Sequence, residues 1–433
     1  MRRRDLLAAG GALAATPTFA KAAQTQLAFP GALGWASATP GGRGGAILKV
    51  TTLAAEGPGS LAEALAAKGP RVVVFEVGGV IDLGAKSLKV RQPFLTLAGQ
   101  TAPAPGITLI RGGLTIATHD VVIRHIRVRP GEAGAAKQSG WECDGLSTDR
   151  AHDVIVDHCS FSWATDEGLS ASGPRFEGAT PDDWRAATSH RITFSNNIVA
   201  EGLSNATHSK GEHSKGSLVH DNVTDVLIAG NLYAHNRERN PLFKGGSRGA
   251  AVNNLIYDPG RRAAHFNLHA AEWGEHPHQE ARIALVGNVL RAGPSTADGV
   301  AMMMVGGQGP IGLYMADNLA LGRDGADLPQ LASFGGSTVV PTILARPGDW
   351  PAGLVARPAR EAEAAVLREA GARPWDRDAI DARIVAEVAA RTGAIRDSEQ
   401  AVGGYPAPAP ARRAFDPAAW DLATMEPLSS ARS

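Results

Sequence analysis

The sequence predicts an all-β fold of stacked coils, a solenoid built from short strands. Two features point to it. Strand-length apolar runs alternate with turn residues from Val72 onward, with no long amphipathic helices between them. Asparagine also recurs just past the strand cores, at uneven intervals of roughly 23 to 35 residues.

Composition agrees. Of 433 residues, 51 are Gly and 27 Pro, and aromatics make up only 5%. A helix bundle is excluded, because each such residue costs about 1–3 kcal/mol in a helix interior. The formal net charge is zero, so a broad field for nucleic acid is not expected, and an anionic ligand must be met by a local basic patch.

The elements follow in chain order. Met1-Arg2-Arg3-Arg4-Asp5-Leu6-Leu7, the apolar run Ala8–Ala15 and the small-residue stretch near Ala20-Lys21-Ala22 read as an export signal of twin-arginine type, residues 1–23. Its apolar run falls short of the roughly 20 residues that span a bilayer, so no stable membrane span is predicted. Residues 24–335 form the predicted coil domain. Within it, Ser60 caps a short helix over Leu61–Ala67, with Glu63 placed for a capping box.

The strand runs include Val72–Val77, Phe94–Leu97, Ile107–Ile110, Val121–Ile126, Val154–His158, Arg191–Phe194, Val226–Ala229 and Arg282–Val286. Asparagines follow at Asn196-Asn197, Asn231, Asn253-Asn254, Asn288 and Asn318. Asparagine tolerates left-handed backbone and bonds neighbouring amides, so these residues are expected to stack as a ladder at one corner of successive coils. Uneven spacing favours coils with variable loops over a propeller. Residues 336–433 change texture, with prolines, helical stretches over Glu361–Ala370 and Asp378–Arg391, and a Pro/Ala-rich tail. They are expected to drape over the coils as a peripheral, partly helical segment. Cys143 and Cys159 are either a disulfide or two buried thiols.

Four clusters carry chemistry. They are Glu142-Cys143-Asp144-Gly145; Val154-Ile155-Val156-Asp157-His158 running on to Asp166-Glu167-Gly168; His213-Ser214-Lys215-Gly216-Ser217-Leu218; and Arg237-Glu238-Arg239-Asn240-Pro241-Leu242-Phe243-Lys244-Gly245, followed by Asn253-Asn254. In this order they resemble the pectate lyases of polysaccharide lyase family 1, over residues 29–320.

The resemblance implies a right-handed parallel β-helix, with the short helix capping one end of its core, and cleavage of pectate (polygalacturonate) by β-elimination. It implies Ca²⁺ as cofactor. Asp144 and Asp166 match calcium ligands; Glu142, taken to lie two residues before Asp144 on the same strand face, and Glu167 are further candidates. Ser170 stands where some relatives carry another acid. Arg239 matches the residue that takes the C5 proton, and Lys215 and Lys244 match positions that hold substrate carboxylates. Asp157-His158 is assigned to the scaffold, and Ile155, in place of a family tryptophan, to the core. A single secreted or periplasmic chain acting on an acidic polysaccharide is expected, with no nucleic-acid partner. Two alternatives are a polygalacturonase-type β-helix hydrolase and a non-catalytic glycan-binding β-helix. Against the hydrolase, Asp166 and Glu167 as strand neighbours would face opposite ways.

Overall fold

A computed structural model describes residues 26–428; the predicted export signal, residues 1–23, lies outside the described residues. Within them the chain winds into three large sheets of eleven, nine and ten strands, parallel except where one C-terminal strand joins. Successive coils visit the sheets in a fixed order. His152–Asp157 lies in the eleven-stranded sheet, Ser160–Ser162 in the ten-stranded sheet and Glu167–Ser172 in the nine-stranded sheet. His190–Ser195, Ile198–Ala200 and Lys215–Val219 repeat the circuit one coil on. This is a parallel β-helix, right-handed as parallel crossovers are.

The register stacks like on like. Val154, Ile192 and Val226 pair in one row, and Val156, Phe194 and Ile228 in another. They fill the interior together with Phe161, Val199 and Tyr233 from the ten-stranded sheet and Leu169, Val219 and Phe243 from the nine-stranded sheet. Many strands are covered on their outer face as well, which is why they read as apolar runs rather than alternations. Ile155 is such a case. It is fully buried, as a core residue should be, but points outward and packs against Phe29, Ala32 and Val122 in a satellite core on the outer face of the sheet. A six-residue helix, Leu61–Ala66, packs Leu61, Ala64 and Leu65 against the central core. Its N-cap Ser60 accepts from Glu63 N, while the Glu63 carboxylate accepts from Gly59 N instead of the N-cap amide.

The asparagine ladder forms. At one corner of each coil a residue takes left-handed backbone, with φ of 48° at His158, 54° at Asn196 and Asn253, and 47° at Asp317. The residue after this corner carries the ladder. The side-chain amide of Asn197 donates to Asn231 Oδ1 (3.0 Å), Asn231 to Asn254 (3.0 Å), Asn254 to Asn288 (2.9 Å) and Asn288 to Asn318 (3.0 Å). Each amide also donates to a strand carbonyl, as Asn254 does to Ile228 O, so buried polar groups that water cannot reach are satisfied.

The C-terminal segment is tied to the coils by its own buried contacts. Helices Ala359–Glu369 and Ala379–Ala390 lay Ala362, Val366, Ile384 and Val388 against Ile198, Leu232 and Leu255 on the outer face of the ten-stranded sheet. Arg129, fully buried, binds Asp378 (2.6 Å) and Asp381 (2.9 Å), and Arg127 reaches Asp381 (3.3 Å). Strand Ala411–Arg412 closes one end of the ten-stranded sheet in antiparallel pairing. Cys143 and Cys159 are separate buried thiols. Among the described residues no helix is long and apolar enough to cross a membrane.

Candidate functional site

At the mouth of the nine-stranded sheet Asp144, Glu167 and Lys215 each precede a glycine, and the glycines are what let the coils close up. A Cβ on Gly145 would stand 2.4 Å from Gly168 O, and one on Gly216 2.4 Å from Arg239 O. Asp144-Gly145, Glu167-Gly168 and Lys215-Gly216 are thereby stacked one above another. Glu167 is in register with Lys215, and Lys215 bridges to Glu238, the neighbour of Arg239.

Asp144, Asp166 and Glu167 each present a carboxylate oxygen within 4.8 Å of the others. Asp144 Oδ1 also accepts from Glu167 N (3.1 Å). Burial and the charge of Asp166 push the Asp144 carboxyl up to about 8. The Arg239 guanidinium forms an ion pair with Glu167. Arg239 has φ of 64°, a left-handed conformation that costs a non-glycine residue about 1–2 kcal/mol. Burial draws its pKa below the usual guanidinium value, although Asp166 and Asp144 pull the other way. Burial also penalises the Asp166 charge, but the hydrogen bond from His213 Nε2 (2.7 Å) together with the charges of His213, Arg239 and His208 outweighs it and holds the carboxyl below its usual range.

These residues fit the cation that the resemblance implies. A Ca²⁺ with Ca–O distances of about 2.3–2.6 Å touches oxygens up to roughly 5 Å apart, and three carboxylates within 4.8 Å leave one of them, Asp144, short of a compensating charge. Glu167 Oε1 is buried without a hydrogen-bond partner among the described residues, its charge met by the Arg239 ion pair.

Glu142 does not join this group. Residues 141–145 precede the strand, which starts at Leu146, so the rule that residues two apart share a strand face does not reach Glu142 and Asp144. Glu142 is exposed and turns to the Ser209 amide (3.1 Å) and hydroxyl, with His208 Nδ1 at 3.3 Å. The same boundary undoes the alternation expected of Asp166 and Glu167. Asp166 lies just outside strand Glu167–Ser172, and the two carboxylates converge. Ser170 is buried within that strand, its hydroxyl unpartnered among the described residues.

The two lysines are engaged with protein acids. Lys215 is buried and forms an ion pair with Glu238, which Arg261 (2.8 Å) and Arg262 also bind. Burial, with the charges of Arg261 and Arg262, lowers the Lys215 ammonium to about 7. Lys244 binds Asp221 (3.0 Å) and Glu272. Asp157 ends a strand of the eleven-stranded sheet and His158 is the corner residue that follows it. Asp157 accepts from His158 Nδ1 (2.7 Å), Ser195 Oγ (2.8 Å) and Asn196 Nδ2 (3.0 Å), a scaffold role.

Arg261, Arg262 and His208 were not singled out from the sequence, and His213 and Glu238 stood within its clusters without a role of their own. The adjacent pair Arg261-Arg262 was a readable signal, a double charge just past a Pro-Gly turn. The histidines sit in a long loop whose path only the fold reveals.

No protein-family model matches the chain. Several fungal proteins do. Probable pectate lyase C of Neosartorya fischeri is 31% identical over 403 residues, covering 90% of this chain and 84% of the relative. Probable pectate lyase C of Emericella nidulans is 32% identical over 388 residues, covering 87% and 80%. Among solved structures, a pectate lyase studied for its substrate specificity and anti β-elimination mechanism matches with a TM-score of 0.56 at 14% identity, covering 81% of this chain and 99% of that one. A pectate lyase bound to a hexasaccharide matches with 0.53 at 13% identity, covering 82% and 99%. At such identities the solved structures establish the shared β-helix.

Proposed function

The chain belongs to the pectate lyases of polysaccharide lyase family 1, and from that premise we propose that it cleaves α-1,4-polygalacturonate by calcium-dependent β-elimination, with Arg239 as the base. The observation that carries this is the half-buried Arg239 guanidinium set against the Asp144, Asp166 and Glu167 carboxylates.

The chemistry follows from the substrate. The C5 proton lies next to a carboxylate, so its removal adds negative charge beside an existing one. Asp144, Asp166 and Glu167 would hold calcium, which when bound neutralises that carboxylate and stabilises the developing charge. Arg239 takes the C5 proton, the C4–O bond breaks, and a C4–C5 double bond forms on one product while the other regains a hydroxyl. Arginine is normally protonated at all working pH values. The burial that lowers the Arg239 pKa enlarges the small unprotonated fraction, so turnover is expected to climb on the alkaline side of neutral. Lys215 and Lys244 hold neighbouring uronate carboxylates, exchanging Glu238 and Glu272 for the substrate. Lysine supplies the charge without the two-pronged geometry of arginine.

We place the enzyme outside the cytoplasm, delivered by the basic and apolar residues 1–23. A mature chain from the native cell that still begins at Met1 would contradict that placement.

The test of the activity is near-ultraviolet absorbance on polygalacturonate. A conjugated unsaturated uronate should accumulate with Ca²⁺ and stop forming under chelation. Reducing ends without that absorbance would favour the hydrolase.

A further inference from the structure

Strands Glu167–Ser172, Lys215–Val219 and Leu242–Lys244 are successive neighbours in the nine-stranded sheet, and their ends carry a network of charges. Arg175 follows the first strand, Asp221 follows the second, and Lys244 is the last residue of the third. A second acid, Glu272, comes from the short helix Ala270–Trp273, just past the next strand of that sheet, Ala264–Leu268.

The two acids are placed differently. Asp221 is fully buried and accepts from Arg175 Nε (2.8 Å), Lys244 Nζ (3.0 Å) and Trp273 Nε1 (2.9 Å). Glu272 has a side chain 40% exposed, and its Oε2 alone meets both Arg175 Nη2 (2.9 Å) and the Lys244 ammonium. Asp221 therefore builds the cations into the fold, and Glu272 covers them from the solvent side. The backbone on either hand is anchored. Trp273 is buried against Phe176, which stacks on His276, and the Arg175 carbonyl accepts from Asn222 Nδ2 (2.8 Å). The Glu272 charge is also among those that act on the Arg239 guanidinium, so the network faces the base.

Two cations here meet two carboxylates. His220, whose Nε2 lies 3.3 Å from Arg175 Nη2, is kept uncharged by burial. When the Glu272 side chain swings away, one positive charge is left uncompensated in a largely buried place, and an incoming anion restores the balance. A uronate carboxylate brings the same oxygens and the same charge as Glu272. Its methyl ester brings no charge.

We propose that Glu272 stands in for a substrate carboxylate, and that Arg175 joins Lys244 in binding the unesterified uronate that displaces it. Arg175 is then a specificity-determining residue that selects against methyl-esterified units. This rests on the polyuronate reading given above. The stand-in also weakens apparent affinity, because substrate binds only the fraction of molecules in which Glu272 has left the two cations.

The experiment is isothermal titration with tetragalacturonate in chelator, where no cleavage is expected, for wild type, Glu272→Gln and Arg175→Gln. The fully methyl-esterified tetramer is the control ligand. Glu272→Gln leaves every partner of Asp221 in place and should bind the acid severalfold more tightly than wild type. Arg175→Gln should bind it roughly tenfold or more weakly, the effect of losing a charge-assisted hydrogen bond, with a matching drop in its preference for the acid over the ester. A Glu272→Gln variant that binds the acid no more tightly than wild type would overturn the proposal. So would a folded Arg175→Gln that keeps wild-type affinity; should that variant not fold, Glu272→Gln decides alone. Failure of the lyase reading shows separately, as wild type that forms no unsaturated product with Ca²⁺, and the binding comparison does not depend on it.

Discussion

The Arg239 guanidinium is paired with Glu167, the first residue of a strand whose other neighbours at that level are Asp144 and Lys215. The pair fixes the position of a guanidinium that a left-handed backbone already aims, so replacing Arg239 should affect chemistry more than binding. Arg239→Lys keeps the charge but is shorter, and its ammonium cannot place an unprotonated nitrogen where the guanidine reached. Turnover is expected to fall about 10²–10⁴-fold, the usual cost of losing a positioned base, with KM changing far less. Steady-state kinetics on polygalacturonate check this, and retention of more than about a tenth of wild-type kcat, well above that range, would remove Arg239 as the base.

Lys215 gives a pH signature of its own. Its ammonium is lowered to about 7 by burial and by Arg261 and Arg262, while a substrate carboxylate favours the charged form. Above that value the free enzyme must take up a proton to bind. KM should therefore rise with pH above neutral by up to about tenfold per unit, even as kcat climbs with the unprotonated fraction of Arg239. Lys215→Ala should raise KM at neutral pH and flatten its pH dependence. A KM that is constant from neutral to alkaline pH in the wild type would show that Lys215 does not meet the substrate.

The raised carboxyl of Asp144 predicts opposite responses with and without cation. Its folded pKa of about 8 lies above the ordinary carboxylate range, so its contribution to stability is full below that range and is lost as pH rises through 8. In chelator at pH 9, Asp144→Asn should therefore melt higher than wild type. With Ca²⁺ the order should reverse, and the variant should need more Ca²⁺ for activity. Thermal unfolding in both conditions decides. A variant that melts below wild type in chelator would mean that the Asp144 charge is compensated within the protein.

Much of the fold was legible because it rests on local rules. Left-handed corners followed by asparagine recur in the sequence as Asn-Asn, Gly-Asn and Asp-Asn, and the ladder follows from them. Asp144, Glu167 and Lys215 were legible because each precedes a glycine that close-packed coils require, and Arg239 because a proline follows two residues on. What failed were arguments that assumed strand geometry one or two residues outside a strand, at Glu142 and at Asp166. Ile155 is buried as read, but in a satellite cluster outside the coils, since a strand covered on both faces does not announce which way each side chain points. His208 and His213 depend on the path of a long loop. The partners Arg129 and Asp378 are 249 residues apart, and no local pattern joins them.

That last contact predicts a large stability effect. Asp381 is fully buried between Arg127 and Arg129 and also accepts from Ser160 Oγ (2.7 Å). Asp381→Ala leaves the buried Arg127 and Arg129 to share Asp378 alone and should cost up to about 3–5 kcal/mol, the range for removing one partner of a buried ion pair. Urea unfolding measures it. A loss of less than about 1 kcal/mol, the ceiling for exposed pairs, would mean that the helical segment contributes little to the stability of the coils.

The central claim is elimination at Arg239, and the most direct measurement is the mass of the products formed in heavy-oxygen water. Elimination adds no water at the cut. Polygalacturonate digested by the wild type with Ca²⁺ should give unsaturated fragments, each one water lighter than its saturated counterpart, with no heavy oxygen gained through cleavage. One heavy oxygen incorporated per cut, on fragments of full hydrolytic mass, would contradict the account and identify a hydrolase.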